Sequence, residues 1–593
     1  MNEKSVKLAN RSGHSLIWLY LSAAIWLAFP GNASAQVSAS IVGSVIDPSG
    51  AVVKDAKITV TSLETGAVRE VTTDDEGYFR VLSLPVGSMD VKAEKTGFQA
   101  TVRHGIKLAV GQEAVIDVRL FLSGTIVDMV IEDSAPIVNT TPASISGVVD
   151  ERQVKELPLN GRSFDNLIAL NPSTINYSAL KSPNTSTSNG NTFSVAGRRT
   201  GENIFLLNGV EYTGSSQLAL TPGGVSGDLL GIDAVREFNV LTDTYSAEYG
   251  KRAGAQVSVA TQSGTNQFHG SVFEFVRNSA LDSPGPFDQG TVPPFKRNQF
   301  GVSAGGPIQR DRLFIFGNYE GFRQSLNASS VSVVPDTGTA LAPMARQGSL
   351  PNACTGVYAP VSGLNATMLQ YMSFWPAPNG PELMVPSTGA CANPPALVPT
   401  GTAKAFYNPN SHIQEDFGTL RADYNIGKSD MVSGAYTIDD GNSLIPLADP
   451  LFASFTPLRM QVFSLNETHV VSPEVLNTAT IGFSRASFAL GSVPLATFPS
   501  SLSFVSGAGP GGIVVGGGAT TTANGSITSA GPNNAAGVSN HRNLFTFQDS
   551  VRVVHGIHQI SVGAWLQRIQ DNEDSASRQL GQATFASLTT FLK

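Results

Sequence analysis

Three short stretches of the chain hold residue types at spacings that could do chemistry. Asp74-Asp75-Glu76 groups three carboxylates that could hold calcium; no EF-hand ligand spacing follows, so a solvated turn is the competing reading. His555 and His558 flank a turn, with no further Cys, His or carboxylate close in sequence to complete a metal site. The run Gly507 to Gly518 is glycine-rich but lacks the lysine of a phosphate-binding loop, and reads as a flexible loop. The sequence contains no H-E-x-x-H or C-x-x-C, its G-x-S-x-G match at Gly301 to Gly305 falls within a hairpin strand and makes no nucleophile elbow, and its carboxylates are too dispersed to nominate a pair for acid–base work. A secreted enzyme would need a catalytic constellation that these motifs do not supply, and no cofactor is called for. What remains is ionic contact. Arg198, Arg199, Glu202, Glu211, Asp233, Arg236, Glu237, Asp243, Glu248, Lys251 and Arg252 are scattered between Asn191 and Gly270, more charge than most of the chain carries.

The elements that must position those charges are short. Gly, Asn and Asp punctuate runs of Val, Phe and Ile through 191–270, the sequence form of tight hairpins. The whole chain has 593 residues, too many for one ordinary domain unless a barrel absorbs the length. Charged residues are only 14% and glycines number 59, low and high respectively for a soluble enzyme. Mean hydropathy is +0.02, as expected of strands that alternate apolar and polar. A secreted glycine-rich multidomain β-protein would share that composition. Net charge is −8 and no basic run points to nucleic acid.

Five ordered pieces carry a resemblance: ELPLNGRSF (156–164), FSVAGRRTGENIFLLNGV (193–210), AVREFNV (234–240), SAEYGKRAGAQVSVATQSGTN (246–266) and FHGSVFEFVRN (268–278). Together they resemble the plug and first barrel strands of TonB-dependent outer-membrane receptors, in the Oar-like branch with an N-terminal carboxypeptidase-regulatory-like domain. Two positions depart from the pattern: Asn208 where Asp usually precedes Gly-Val, and Gln262 where Lys usually precedes Ser-Gly. The resemblance implies a mainly β chain: an Ig-like β-sandwich, an α+β plug domain, then an incomplete transmembrane antiparallel β-barrel. It implies a plug motif at Arg198, Gly209, Glu248 and Gly250, an unknown extracellular ligand, outer-membrane lipid around the barrel and a TonB energy-coupling partner. The competing function is a surface adhesion or structural protein of the outer membrane that transports nothing.

In chain order, residues 1–35 read as an export signal. Lys4, Lys7 and Arg11 precede the apolar run Leu16 to Phe29, and Ala33-Ser34-Ala35 forms a cleavage site before Gln36. Residues 36–122 read as a small sandwich of alternating strands; in AKITVTSL, Ile58, Val60 and Ser62 share one face. TDDEGYF resembles the signature of the non-catalytic carboxypeptidase-regulatory-like domain. Residues 123–145 form a linker in which Asp128-Met129-Val130-Ile131 is a candidate TonB box, read by strand addition to the partner's sheet; the alternative is a last sandwich strand or plain linker. Residues 146–263 are the plug, with a helix over Val148 to Glu156 and a second, Phe164 to Leu170, capped by Ser163. Residues 173–192 read as a mobile polar loop.

Residues 264–593 are the barrel. Leu420, Ala422, Tyr424 and Ile426 alternate with Thr419, Arg421 and Asp423; Ala479, Ile481 and Phe483 oppose Thr478, Thr480 and Ser484; Ile560, Val562, Ala564 and Leu566 oppose Gln559, Ser561 and Gly563. A hairpin is expected to turn over Gly305–Arg312. Short turns at 427–430, 471–474 and 554–557 contrast with long, poorly patterned connections at 325–411 and 486–540, the asymmetry of an outer-membrane barrel. Cys354 and Cys391, the only cysteines, could close one disulfide after export or remain two free thiols; closure would add roughly 3–4 kcal/mol on the chain-entropy account. With about eight to ten strands against the roughly 22 of plugged barrels, the expectation is a C-terminally truncated receptor.

Overall fold

The computed structural model describes residues 39–122, 131–132, 145–178, 190–214, 221–286, 288, 290–387, 396–427, 429–516, 527–532, 537–555, 558–575 and 577–593. The export segment 1–35, the box residues Asp128, Met129 and Val130, and Cys391 lie outside them.

The first unit is a sandwich. Ala39–Ile46 pairs with Tyr78–Leu84 and, in parallel, with Glu113–Val115; the facing sheet runs Ile131–Glu132, Thr101–Leu108, Gly87–Glu94, Lys57–Ser62, Val68–Thr72. Strict alternation drives it. Ile58, Val60 and Ser62 are buried while Lys57, Thr59 and Thr61 point out, as the pattern predicts. Ile41, Ile58 and Val91 are among its fully buried core residues, each contributing about 1.5–3 kcal/mol by leaving water. Asp74 closes its turn by accepting from the Tyr78 N–H at 2.7 Å, and exposed Asp75 meets Lys54 at 3.4 Å. This turn is solvated, and no group of three or more candidate metal ligands occurs among the described residues.

The second, inner unit is a five-stranded sheet: β1 (Ile145–Val149), β2 (Ile204–Leu207), β3 (Val210–Glu211), β4 (Val235–Asp243) and β5 (Gln256–Thr261), in the order β1-β4-β5-β2-β3. Two local expectations fail here. The first helix is α1 (Glu151–Glu156), not Val148 to Glu156, because Asp150 starts it with a capping box through Gln153. Val148 and Val149 instead extend β1 opposite Asn239 and Phe238, where β-branched side chains fit a pleated surface. Phe164–Leu170 is 3₁₀, and Ser163 does not cap it: its hydroxyl donates to Asp165 at 2.5 Å and accepts from the Leu229 N–H at 2.8 Å. In the stretch expected to be a mobile loop, Thr174–Asn176 pairs with Phe193–Val195; residues 179–189 lie outside the described residues.

The third unit is a wall of nine antiparallel strands among the described residues, each paired with the next in chain order. They are β6 (His269–Asn278), β7 (Phe295–Gln309), β8 (Leu313–Asn327), β9 (Asn410–Ile426), β10 (Asp430–Pro446), β11 (Phe452–Ser472), β12 (Val475–Pro494), β13 (Val538–His555) and β14 (His558–Asp574). Most exceed the 9–11 residues a tilted strand needs to cross a bilayer. The β7–β8 turn is tighter than Gly305–Arg312: the ladder continues through Pro307↔Phe314 to Gln309↔Leu313, with Ile308 the extra residue of a bulge.

The alternation falls on the two faces of this wall as predicted. Leu420 (56% exposed), Ile481 (49%) and Leu566 (68%) point outward. Thr419, Arg421, Thr478, Thr480 and Ser484 face the inner unit. The inner face is not uniformly polar, however. Leu458, Met460, Val462 and Ala486 join the inner unit's core, so the wall is apolar where a packed sheet edge lies against it.

The long connections differ from the expectation of poorly patterned loops. Ser330–Pro335, Leu397–Tyr407 and Glu382–Pro386 form a three-stranded sheet, and β12 itself runs to Pro494. Phe374, Trp375, Phe452, Val515 and Phe591 build a separate apolar core over this end of the wall. Short local runs were too mixed in period to show it, and the core forms only by bringing distant segments together.

Candidate functional site: the seat of the inner unit in the wall

The site is the surface where β3, the 246–252 turn and the 224–234 segment meet the wall. β3 ends on Glu211, whose side chain is 1% exposed. Gly209 makes this geometry: with φ of 85° it takes the left-handed conformation glycine adopts freely, and Asn208 before it (φ 48°) is among the few residues that tolerate the same region. The tight turn delivers Glu211 beside two cations of the 246–252 turn. Arg252 donates to Glu211 Oε1 at 2.9 Å, and Lys251 bonds Glu211 Oε2. Gln567 of β14 donates to Glu211 at 3.0 Å and accepts from Lys251 at 2.6 Å. The Lys251 ammonium also stands 5.4 Å from the Trp565 ring centroid, within cation–π range. Burial pulls the Lys251 ammonium below its ordinary value, and the Glu211 carboxylate opposes that shift.

Further contacts ring the inner unit. Glu248 pairs with Arg552 of β13 at 2.9 Å, and Arg542 donates to the Gly214 carbonyl at 3.2 Å. On the other side Glu320 accepts from the Gly231 N–H at 3.0 Å, Glu415 from the Ser226 N–H at 2.7 Å, and Arg421 donates to the Thr261 carbonyl at 2.9 Å. Arg162 reaches Asp233 at 3.4 Å and lies 4.0 Å over the Phe273 ring of β6. These polar contacts flank apolar ones, where Leu458, Met460 and Val462 join the inner unit's core and Leu230 and Ala234 pack on Phe316 and Phe417. The polar part of the seat can exchange its partners for water at little net cost.

The four motif residues divide. Glu248 touches the wall and Gly209 shapes the turn behind Glu211. Gly250 accepts a long bond of 3.4 Å from Gln256 within the inner unit. Arg198 pairs inside the inner unit with Asp243, at 3.1 Å, and with the Thr242 carbonyl, so it braces β4 and does not reach the wall. The two departures are also accommodated. Asn208 donates to the Thr261 hydroxyl at 3.0 Å and accepts its N–H at 3.1 Å, while Gln262 donates to Glu151 at 2.9 Å. Glu320, Glu415 and Arg421 escaped sequence reasoning as site residues; the signal was present as charge on the wet face of an alternating strand. Ile131, the one box residue described, pairs with Glu132 in parallel to Arg103 and His104 on the sandwich edge. Cys354 is disulfide-bonded.

Residues 260–592 match the outer membrane beta barrel domain family, and residues 40–121 match the carboxypeptidase regulatory-like domain. The chain belongs to the outer membrane beta-barrel family. Its place is therefore the outer membrane, with the exposed apolar face of the wall toward lipid. Over 307 residues it is 28% identical to the TonB-dependent transporter Oar of Myxococcus xanthus, covering 49% of this chain and 27% of that relative. The outer membrane transporter YddB from Escherichia coli is similar in structure with a TM-score of 0.44 and 10% identity, over 73% of this chain and 49% of that one. For the unliganded ferric citrate transporter FecA the TM-score is 0.37 and identity 8%, over 73% and 57%. The chain thus spans about a quarter of the curated relative's length, 27%, and about half, 49%, of the first solved structure.

Proposed function

We propose that the protein is a TonB-dependent receptor that binds an extracellular ligand and admits it through a plugged barrel, and that it is not an enzyme. The inner unit is the plug. The observation that carries this reading is the Glu211 knot: a buried carboxylate of the inner unit shared by its own cations and by Gln567 of the wall. A stopper must fill a water-containing lumen yet yield to a modest pull, and hydrogen-bonded ionic contacts meet both needs better than apolar burial. Ligand would meet the side of the wall carrying the long connections, whose separate core and Cys354–Cys391 bridge would hold a shaped surface there. Both outer strands, β6 and β14, have one unpaired edge among the described residues. In lipid such edges cost several kcal/mol per unpaired group, so a closed wall needs strands beyond these nine.

Pull would reach the plug through residues 123–145, with Asp128-Met129-Val130-Ile131 as the TonB contact. Backbone pairing between Ile131 and the sandwich edge would have to give way for the partner's strand to add. Site-specific crosslinking from residues 125–133 to the TonB protein tests this directly. Crosslinks there are expected; none, with normal surface display, would favour the adhesion or structural role.

A further inference from the structure

Below the inner unit, at the end of the wall with the short turns, the sandwich makes a contact that wall seating does not require. Glu64 takes Arg236 of β4 in a two-pronged ion pair, at 2.8 and 2.7 Å. The Val110 N–H donates to Glu237, and Asn239 donates to the Val110 carbonyl at 3.0 Å. Glu237 and Asn239 alternate along β4 with Phe238 and Val240, which fill the inner unit's own core. The two polar residues therefore face away from that core, yet they are only 6% and 5% exposed. The sandwich makes hydrogen bonds to both of them. It also reaches the wall: Arg80 donates to Gln559 at the β13–β14 turn at 3.1 Å, and Gly66 abuts Asp311 of the β7–β8 turn. A partly open cavity of about 130 Å³ lies where the three units meet, bounded by Thr65 and Pro85 of the sandwich, Arg236 of the inner unit, and Arg421, Asp423 and Ser464 of the wall.

We propose that the sandwich is a latch: seated on β4 through Glu64 and the 109–112 turn, it closes the short-turn end of the wall and must release before anything passes. This rests on the reading of the inner unit as a plug. The contact has the character of a reversible one. It includes a bidentate guanidinium–carboxylate pair and two bonds to the Val110 backbone, which fix orientation but exchange with water at little net cost.

Hydrogen exchange on the full chain in bilayers reads the latch without ligand or TonB, so it stays informative whatever transport assays give. Glu64→Arg and Arg236→Glu should each speed exchange of the Val110 amide at least tenfold. Amides of the sandwich core at Ile58 and Val91 should keep their protection, and the double swap should restore Val110. Asn239→Ser, a smaller change, should speed Val110 exchange about threefold. For closure, the thiol of S464C should react with maleimide at least tenfold faster when combined with Glu64→Arg than alone. Val110 exchange within twofold of the parent in both Glu64→Arg and Asn239→Ser would overturn the latch, as would a swap no better than its parents. Equal S464C rates would overturn the closure.

Discussion

Removing Glu211 should loosen the inner unit without unfolding it. In Glu211→Ala, Lys251 and Arg252 keep their positions but lose the carboxylate they share, and Gln567 loses an acceptor. Stripping one partner from a buried ion pair costs about 3–5 kcal/mol. Here the cations' side chains are 24% and 13% exposed, so water recovers part of the loss, and about 2–4 kcal/mol is the expected weakening. Glu211→Gln should cost less, since the amide keeps one acceptor for Arg252. Trp565 reports the event, because the Lys251 ammonium lies over its ring. The assay is a urea titration of the bilayer-reconstituted protein with Trp375→Phe, so that Trp565 dominates the emission of the exported chain. The inner-unit transition should move to lower urea in the order parent, Glu211→Gln, Glu211→Ala. A double-mutant cycle with Lys251→Met should return a coupling of at least about 1 kcal/mol. Unchanged midpoints together with a coupling near zero would refute the view that this knot seats the inner unit.

Three further outcomes follow from single sites. Burial against the sandwich pushes the Glu237 carboxyl up to about 7, against the opposing pull of the Val110 N–H and Arg236; Asp150 and Glu151 add to the rise, and Glu64 faces the same cluster through Arg236. A carboxyl raised from 4.5 to about 7 holds its proton better when the sandwich is seated than when released. Seating is therefore fully favoured below about pH 4.5, weakens as pH rises to about 7, and levels off above, by at most about 3 kcal/mol. Spin-label distances between D75C and R310C should show the seated-to-released ratio falling at least tenfold from pH 5 to pH 8, and Glu237→Gln should flatten the curve. Cys354 should appear joined to Cys391 in a non-reducing peptide map; full alkylation of both without reductant would exclude the bridge. Ile481→Arg, on the outward face of β12, should destabilise the protein in bilayers by about 2–4 kcal/mol, whereas Ser561→Arg on the inward side of β14 should cost under about 1 kcal/mol.

What the sequence made legible follows from what period-two patterning can report. Strands such as β9, β12 and β14 were readable because one face meets an apolar surrounding and the other a polar one over many residues, so alternation survives local noise. The pairings across the short turns at 427–430, 471–474 and 554–557 were readable too, since such turns force the flanking strands together. The helix over 148–156 was misjudged because three valines satisfy both periods, and only the Asp150 cap separates strand from helix. The long connections were misjudged because their core joins Trp375, Phe452 and Phe591, which share no local pattern. Glu211 stood among eleven scattered charges with nothing to mark it; the Gly209 turn and a partner 356 residues away give it its role. The Glu64–Arg236 pair, 172 residues apart, was invisible for the same reason.

A transmembrane wall requires one face to meet lipid and the other to be shielded from it. Single cysteines at Leu420, Ile481 and Val562, and at Thr419, Thr480 and Ser561, can each carry a bimane in bilayers containing brominated lipid. The three outward positions should be strongly quenched and their inward neighbours spared. Equal quenching on both faces, or strong quenching confined to Thr419, Thr480 and Ser561, would contradict that arrangement.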